Sequence, residues 1–359
     1  MVDLSRHFGG SSRWSVGVEE ELFVVDAATL LPAPVPAALL DGTRRKPELF
    51  RSLLELTTTI CGTAEEAAGE LARLRAEAGR DLAAFGLSLA AAGTHPFALA
   101  AEQDVVDDAG LRAFAEYAGP SAGTQFCCGV HVHVGMASAD DCLAALEAVL
   151  PWLPLVLALS ANSPYFEGRE TGYASTRGEL LTRLPRTGAP PVFASFSDWE
   201  AFVRRLVSLG LADDYTRTWW DVRPHPRLGT LEVRAPDQPT RLELTAAFVA
   251  LIQALAATER TAAPADRGLY DQNRWAALRF GREAELVHPD GSRLATVPDL
   301  TGELLERVAP AAARLGGATL LAPLEDLARR SQADDQLDLG RTEGLEALTA
   351  RLVAETGSI

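Results

Sequence analysis

Three short segments of this chain alternate polar and apolar residues with a period of two, and each places an unusual polar pair on one face. Side chains two apart on a strand point the same way. In Val16-Gly17-Val18-Glu19-Glu20-Glu21-Leu22-Phe23-Val24, Glu19 and Glu21 share a face, with Val18, Leu22 and Val24 opposite. Glu20 falls on the apolar face, where the sequence offers no visible partner. In Gln125-Phe126-Cys127-Cys128-Gly129-Val130-His131-Val132-His133-Val134, the two histidines share a face with Gly129 and Gln125. In Thr230-Leu231-Glu232-Val233-Arg234, Glu232 and Arg234 oppose Leu231 and Val233. Weaker echoes put Glu55 with Thr57, and Asp221 with Arg223.

An antiparallel sheet with one wet face alternates routinely, but that face normally carries Thr, Lys and Ser. Carboxylates, imidazoles and guanidinium groups are a different matter. Glutamates crowded on one face repel one another unless cations sit among them. Oxygen-rich ligands with one or two imidazoles suit Mg²⁺ or Mn²⁺ better than Zn²⁺. Divalent ions with arginines nearby are what nucleotide phosphates require. The pattern alone therefore indicates a sheet that handles metal and phosphate, and leaves ligase, kinase and hydrolase open.

The formal net charge of −16 argues against a broad nucleic-acid surface. Lys46 is the only lysine among 33 basic residues, so an anion clamp has to be built from arginine, whose fork suits carboxylates and phosphates. Cys61, Cys127, Cys128 and Cys142 form no C-x-x-C pair and are expected as reduced, packed thiols. Val149 to Ala161 is apolar but too short to span a bilayer, and the N-terminus lacks a signal-peptide core, so a cytoplasmic location is expected.

Residues 1–12 read as a flexible lead-in and 13–359 as one domain whose part from about 239 onward is helical. Strands are expected at Ser15–Asp26, Leu53–Cys61, Leu87–Thr94, Gln125–Gly135, Thr218–Arg223 and Gly229–Ala235, the last two joined by Pro224-His225-Pro226. Helices are expected over Ala64–Phe85, after Ser138 and after a Ser197 cap. Gly168–Pro191 reads as loop. Strands through the first two-thirds, without regular βαβ punctuation, give an α+β fold. No G-x-G-x-x-G or Walker-type loop occurs. His95, before a proline at a strand end, is expected to stabilise a turn. His133 could be a ligand, an orienting residue or a neutral histidine bonding the backbone. Asp221 and Arg223 could simply pair with each other.

The chain also resembles the carboxylate–amine ligase branch of the type 2 glutamate–cysteine ligases. The resemblance rests on Gly17-Val18-Glu19-Glu20-Glu21, Gly93-Thr94-His95-Pro96, Gly129-Val130-His131-Val132-His133 and Leu231-Glu232-Val233-Arg234. Asn162-Ser163-Pro164, Gly172-Tyr173-Ala174-Ser175-x-Arg177, Trp220-Asp221-Val222-Arg223-Pro224 and Asn273-Arg274-Trp275 match further, in the family's order. It implies a curved, mainly antiparallel sheet related to glutamine synthetase and the guanido kinases, with a concave active-site face and helices on the convex side. It also implies ATP as co-substrate, Mg²⁺ or Mn²⁺, a glutamate-like carboxylate activated as an acyl phosphate, an attacking amine such as cysteine, and release of ADP and phosphate. A homodimer is compatible with it. Carried over position by position, Glu19, Glu21, Glu55, His131 and Glu232 resemble metal ligands. Arg234 resembles a phosphoryl-steadying residue and Arg177 a phosphate- or substrate-facing one. His133, Asp221, Arg223 and Asn162 fall near substrate or behind the ligands. Asn273, Arg274 and Trp275 could close over ATP, but docking the C-terminal helix is preferred. Thr57, Thr59 and Thr176 depart from the family pattern where substrate could touch. The alternatives are a guanidino-type phosphotransferase and a non-catalytic nucleotide- or metal-binding protein of the same fold.

Overall fold

Eleven consecutive residues, Val16–Asp26, form the strand β1 on which the molecule is organised. The computed structural model describes residues 3–259 and 264–358. Its main sheet adds β2 (Arg45–Pro47), β3 (Leu53–Thr57), β4 (Leu87–Ala90), β5 (Val130–Gly135), β6 (Val222–His225) and β7 (Thr230–Val233). The spatial order is β6-β7-β5-β1-β3-β2, with β4 also on β1, and every pairing is antiparallel. β5 pairs with Val16–Glu20 and β4 with Phe23–Asp26.

One face of this sheet is sealed by helices. Val18, Leu22, Val24, Val130, Val132, Leu231 and Val233 are buried. They pack with helix α1 (Ala64–Ala83), capped by Thr63, and with α2 (Leu242–Ala256), which is mostly apolar and almost wholly buried. Glu20 lies on this face and is satisfied there. Arg75 of α1 grips it with both nitrogens, at 2.6 and 2.8 Å, and Gln238 and Thr245 complete its shell.

On the other face β1 changes character along its length. Phe23 and Val25 enter a second core with Phe50, Leu53 and Phe126, while Gly17, Glu19 and Glu21 leave the first half polar.

Several expected boundaries shift. The strand before His131 begins at Val130, not Gln125, because the Gly129 N–H turns away to the Glu21 carboxylate. The Thr218–Arg223 strand splits: Trp219–Trp220 pairs elsewhere, with Thr187–Gly188, and β6 starts at Val222 and runs through Pro224. Proline is tolerated there because β6 is an edge strand. Ser195, not Ser197, caps Phe196–Ser208, which lets Phe196 stack on Trp199. The Gly168–Pro191 loop contains a short helix, Thr176–Leu181. Residues 3–12 of the expected lead-in are anchored, and 1–2 lie outside the described residues: the Leu4 N–H donates to Glu200, that of Gly9 to the Met136 carbonyl, and Phe8 meets Phe196 edge-on.

After Pro239 helices predominate, interrupted by the Glu285–Val287/Leu294–Thr296 hairpin. The helical stretch Ala139–Ser160 is long and apolar enough to cross a membrane, yet 83% of its most apolar 18-residue window is buried inside the protein. None of the four cysteines is in a disulfide, and all four are buried.

Candidate active site on the polar face of the sheet

Strand register gathers the polar pairs into one patch. Glu19 lies opposite His131 on one side and Thr57 on the other, Glu21 opposite Glu55, and His133 opposite Glu232. Arg223 is opposite Glu232, and Lys46 is opposite Glu55. Residues up to 112 positions apart in sequence thus lie opposite one another because antiparallel pairing aligns their pleats.

The side chains form a chain of opposite charges. His131 Nδ1 is 3.3 Å from Glu19, and its Nε2 is 3.7 Å from Glu21. His133 Nε2 is 3.7 Å from Glu19, while its Nδ1 meets the Thr230 hydroxyl at 3.0 Å. Arg223 donates to both Glu232 oxygens, at 2.7 and 3.1 Å, and Arg234 adds a third bond at 2.5 Å. Lys46 Nζ lies 2.8 Å from Glu55 and 4.0 Å from Glu19. The Glu21 carboxylate accepts from the Gly129 N–H at 2.5 Å.

The electrostatics follow. Burial works to raise Glu19, but the hydrogen bonds and charges of His131 and His133 outweigh it and hold the carboxyl well below its usual range. Burial likewise opposes ionisation of Glu232, and Arg223 and Arg234 overcome it. His133 is raised: burial is the largest influence and acts to lower it, but the carboxylates of Glu19 and Glu232 together outweigh it. A further carboxylate, Glu48, goes the other way: burial and then the negative charges of Glu21 and Glu55 push it well above the usual range. Sequence reading missed Glu48 and Lys46 as site residues. Lys46 is on β2, which is three residues long and shows no alternation to read, and Glu48 follows just past its end.

The donor set suits a hard divalent cation by its chemistry: carboxylates, with two imidazoles. The Nε2 atoms of His131 and His133 are buried and have no hydrogen-bond partner, as ligand nitrogens lacking their ion would be. Among the described residues, no three His, Cys, Asp or Glu side chains already converge on one point. Lys46, Arg223 and Arg234 fill the spaces between the carboxylates instead.

Arg177 reaches this patch from outside the sheet. Its guanidinium lies over Gly129, where any Cβ would collide with it, and it donates to the backbone carbonyls of Arg234 and Ala235. Gly129 is therefore required by close approach. Asp221 and Arg223 do not pair with each other, although they alternate on paper. Asp221 holds Arg274 at 2.6 Å and Tyr270 at 2.6 Å, whereas Arg223 turns to Glu232. Asn162 lies on the helix side, bonded to the Gln238 carbonyl, Thr240 and Gln336, where it lines a cavity of about 660 Å³. Asn273 pairs with both backbone groups of Val287, which docks the C-terminal hairpin, and Trp275 is half exposed. His95 holds a turn: Nε2 meets the Leu30 carbonyl and Nδ1 accepts from Ala98 N–H. Burial lowers its pKa to about 4.

An all-antiparallel sheet with helices on one side and a carboxylate–imidazole–guanidinium patch on the other is compatible with a metal- and phosphate-handling enzyme, and similarity to known proteins gives the class. Residues 15–354 match glutamate-cysteine ligase family 2, GCS2. The chain belongs to this family, whose members are ATP-dependent, glutamate–cysteine ligase-like carboxylate–amine ligases. It is 39% identical over 340 residues to "Putative glutamate--cysteine ligase 2-3" of Rubrobacter xylanophilus, covering 93% of this chain and 94% of that protein. With "Putative glutamate--cysteine ligase 2" of Sorangium cellulosum it shares 34% identity over 361 residues, 96% of each chain. Among solved structures, the glutamate–cysteine ligase of Francisella tularensis in complex with AMP superposes with a TM-score of 0.73 at 15% identity, covering 96% of this chain and 89% of that one. A bifunctional glutathione synthetase from Pasteurella multocida gives 0.71 at 16% identity, over 96% of this chain and 52% of that one. These two likenesses concern the fold.

Proposed function

We propose that this protein activates the γ-carboxylate of a glutamate-like substrate with ATP, as an acyl phosphate, and joins it to cysteine or another amine, releasing ADP and phosphate. The observation that carries this is the pair of unpartnered, buried Nε2 atoms facing Glu19 and Glu21 on a sheet face that ends in Arg234. In this reading Glu19, Glu21, Glu55, Glu232 and His131 hold Mg²⁺ or Mn²⁺, with His133 beside them. When bound, such ions neutralise phosphate oxygens and polarise the phosphorus they belong to. Arg234, one-fifth exposed at its side chain, is placed to bind a transferring phosphoryl group, and Arg223 holds Glu232 in line from behind. Arg177 fixes the backbone of Arg234 and closes the Gly129 end of the patch. Thr57, opposite Glu19, donates to Glu55 at 2.8 Å and so belongs to the same patch, whereas the buried Thr176 meets Thr171. A single catalytic domain over 13–359 and a cytoplasmic location belong to the same proposal.

The test is product analysis with a panel of amines, cysteine included. The expected result is ADP and phosphate in step with amide formation, abolished by thorough chelation. Glu19→Gln is expected to lower the rate at least about a hundredfold with an unchanged melt. Stoichiometric AMP, or full turnover without divalent metal, overturns the reading.

A further inference from the structure

The one lysine of this chain stands inside the site. Where 32 of 33 basic residues are arginine, the position between Glu55 and Glu19 carries an ammonium instead. The other carboxylates on this face are met by histidine or arginine: His131 and His133 face Glu19 and Glu21, and Arg223 and Arg234 hold Glu232. The chemical difference is shape. A guanidinium presents a planar fork, whereas an ammonium is a compact, strongly hydrated point charge on a flexible stem. In size and in demand for oxygen ligands it is the side-chain group nearest to a bound metal cation.

The placement is specific. β2 brings Lys46 directly opposite Glu55, and Nζ approaches the Glu55 oxygen that also accepts from Thr57. Glu19, whose other oxygen faces both histidines, completes the ammonium's surroundings at 4.0 Å. Its side chain remains one-third exposed, so the lysine has room to withdraw, unlike the buried Arg223. Any cation bridging Glu19 and Glu55 has to take the place that Nζ fills.

We propose that Lys46 is the resident counter-ion of the site: it holds Glu55 and Glu19 together before a divalent cation binds, and that cation displaces it. This inference rests on the metal-binding reading given above. It makes Lys46 a positioning residue, not a catalytic one. No covalent step is involved; one ion pair is exchanged for another, and the freed ammonium moves toward solvent or an incoming anion.

The consequence runs against the usual effect of mutating an active site. Removing the competing charge should tighten metal binding. Mn²⁺ affinity, read from the loss of the free-ion EPR signal without nucleotide, is expected to increase about two- to fivefold in Lys46→Gln, the range set by a partly exposed ion pair. Lys46→Arg keeps the charge and is expected to stay near wild type. Glu19→Gln separates this inference from the reading beneath it. If Glu19→Gln binds Mn²⁺ as well as wild type, the metal assignment itself fails. If Glu19→Gln loses affinity while Lys46→Gln is unchanged or weaker, the counter-ion proposal alone is overturned. Should Lys46→Gln fail to fold, reductive ¹³C-methylation of the wild type labels this lysine and the N-terminus alone. The Lys46 signal is then expected to shift as Mg²⁺ is added, and a signal blind to saturating Mg²⁺ rejects the proposal.

Discussion

Glu20 and its two neighbours are the same residue type on one strand, and the sheet treats them in opposite ways. Glu20 points to the helices and is fully enclosed, with Arg75, Gln238 and Thr245 donating to it. Glu19 and Glu21 point to the polar face, where the histidines next to them keep unpartnered nitrogens. The first arrangement is closed and the second is open to a further partner. A buried charge with a complete shell serves the fold. A cluster of charges with donors left over is prepared for something that arrives later.

The largest expected effect breaks the closed side. Arg75→Met leaves Glu20 as an uncompensated buried charge and is expected to cost about 3–5 kcal/mol in urea denaturation. Glu19→Gln is expected to remain within about 1 kcal/mol of wild type, as a change in an open site should. A loss below about 1 kcal/mol for Arg75→Met would show that the two faces are not distinct in this way.

Arg234→Lys sharpens the open side. Its bond to Glu232 could be a plain ion pair, in which case lysine would suffice. If Arg234 grips a phosphoryl group, lysine forfeits the bidentate fork, and the expected loss is about 2–4 kcal/mol in transition-state stabilisation, falling on kcat. Retention of more than about a tenth of wild-type turnover, a penalty under roughly 1.4 kcal/mol, removes Arg234 from that role.

The smallest expected effect concerns His95, a closed site without charge. Its folded pKa of about 4 lies below the ordinary value of 6.5 because burial disfavours the cation, and Ala98 N–H already occupies Nδ1. Protons therefore bind the unfolded chain more readily. His95 contributes its stability above pH 6.5 and loses it as pH falls toward 4. Between pH 7 and 5 the loss from this group is about 2 kcal/mol. His95→Gln is expected to be less stable at pH 7 but to show a correspondingly flatter decline to pH 5. An unchanged decline would mean the acid sensitivity arises elsewhere.

Alternation along single strands was enough to pair Glu19 with Glu21, His131 with His133 and Glu232 with Arg234, because a pleat has only two sides and the apolar partners declare which one is buried. The α+β class followed from the same reading. The family motifs lay in the local sequence too. Other features were not legible, for definite reasons. Lys46 sits on a strand too short to have a period, and Glu48 lies just beyond it with no strand pattern at all. Asp221 and Arg223 alternate correctly yet choose partners 53 and 9 residues away, Arg274 and Glu232, and a strand pattern says nothing about partners off the strand. Asn162 carries a family motif but packs behind the sheet. Glu20 was a misplaced charge in the sequence and became a satisfied one only when α1 laid Arg75 across it. The chain's local pattern determined which side of each strand a residue takes. Tertiary structure decided which charges meet, because Coulomb pairing and desolvation depend on distances that only the assembled sheet and helices set.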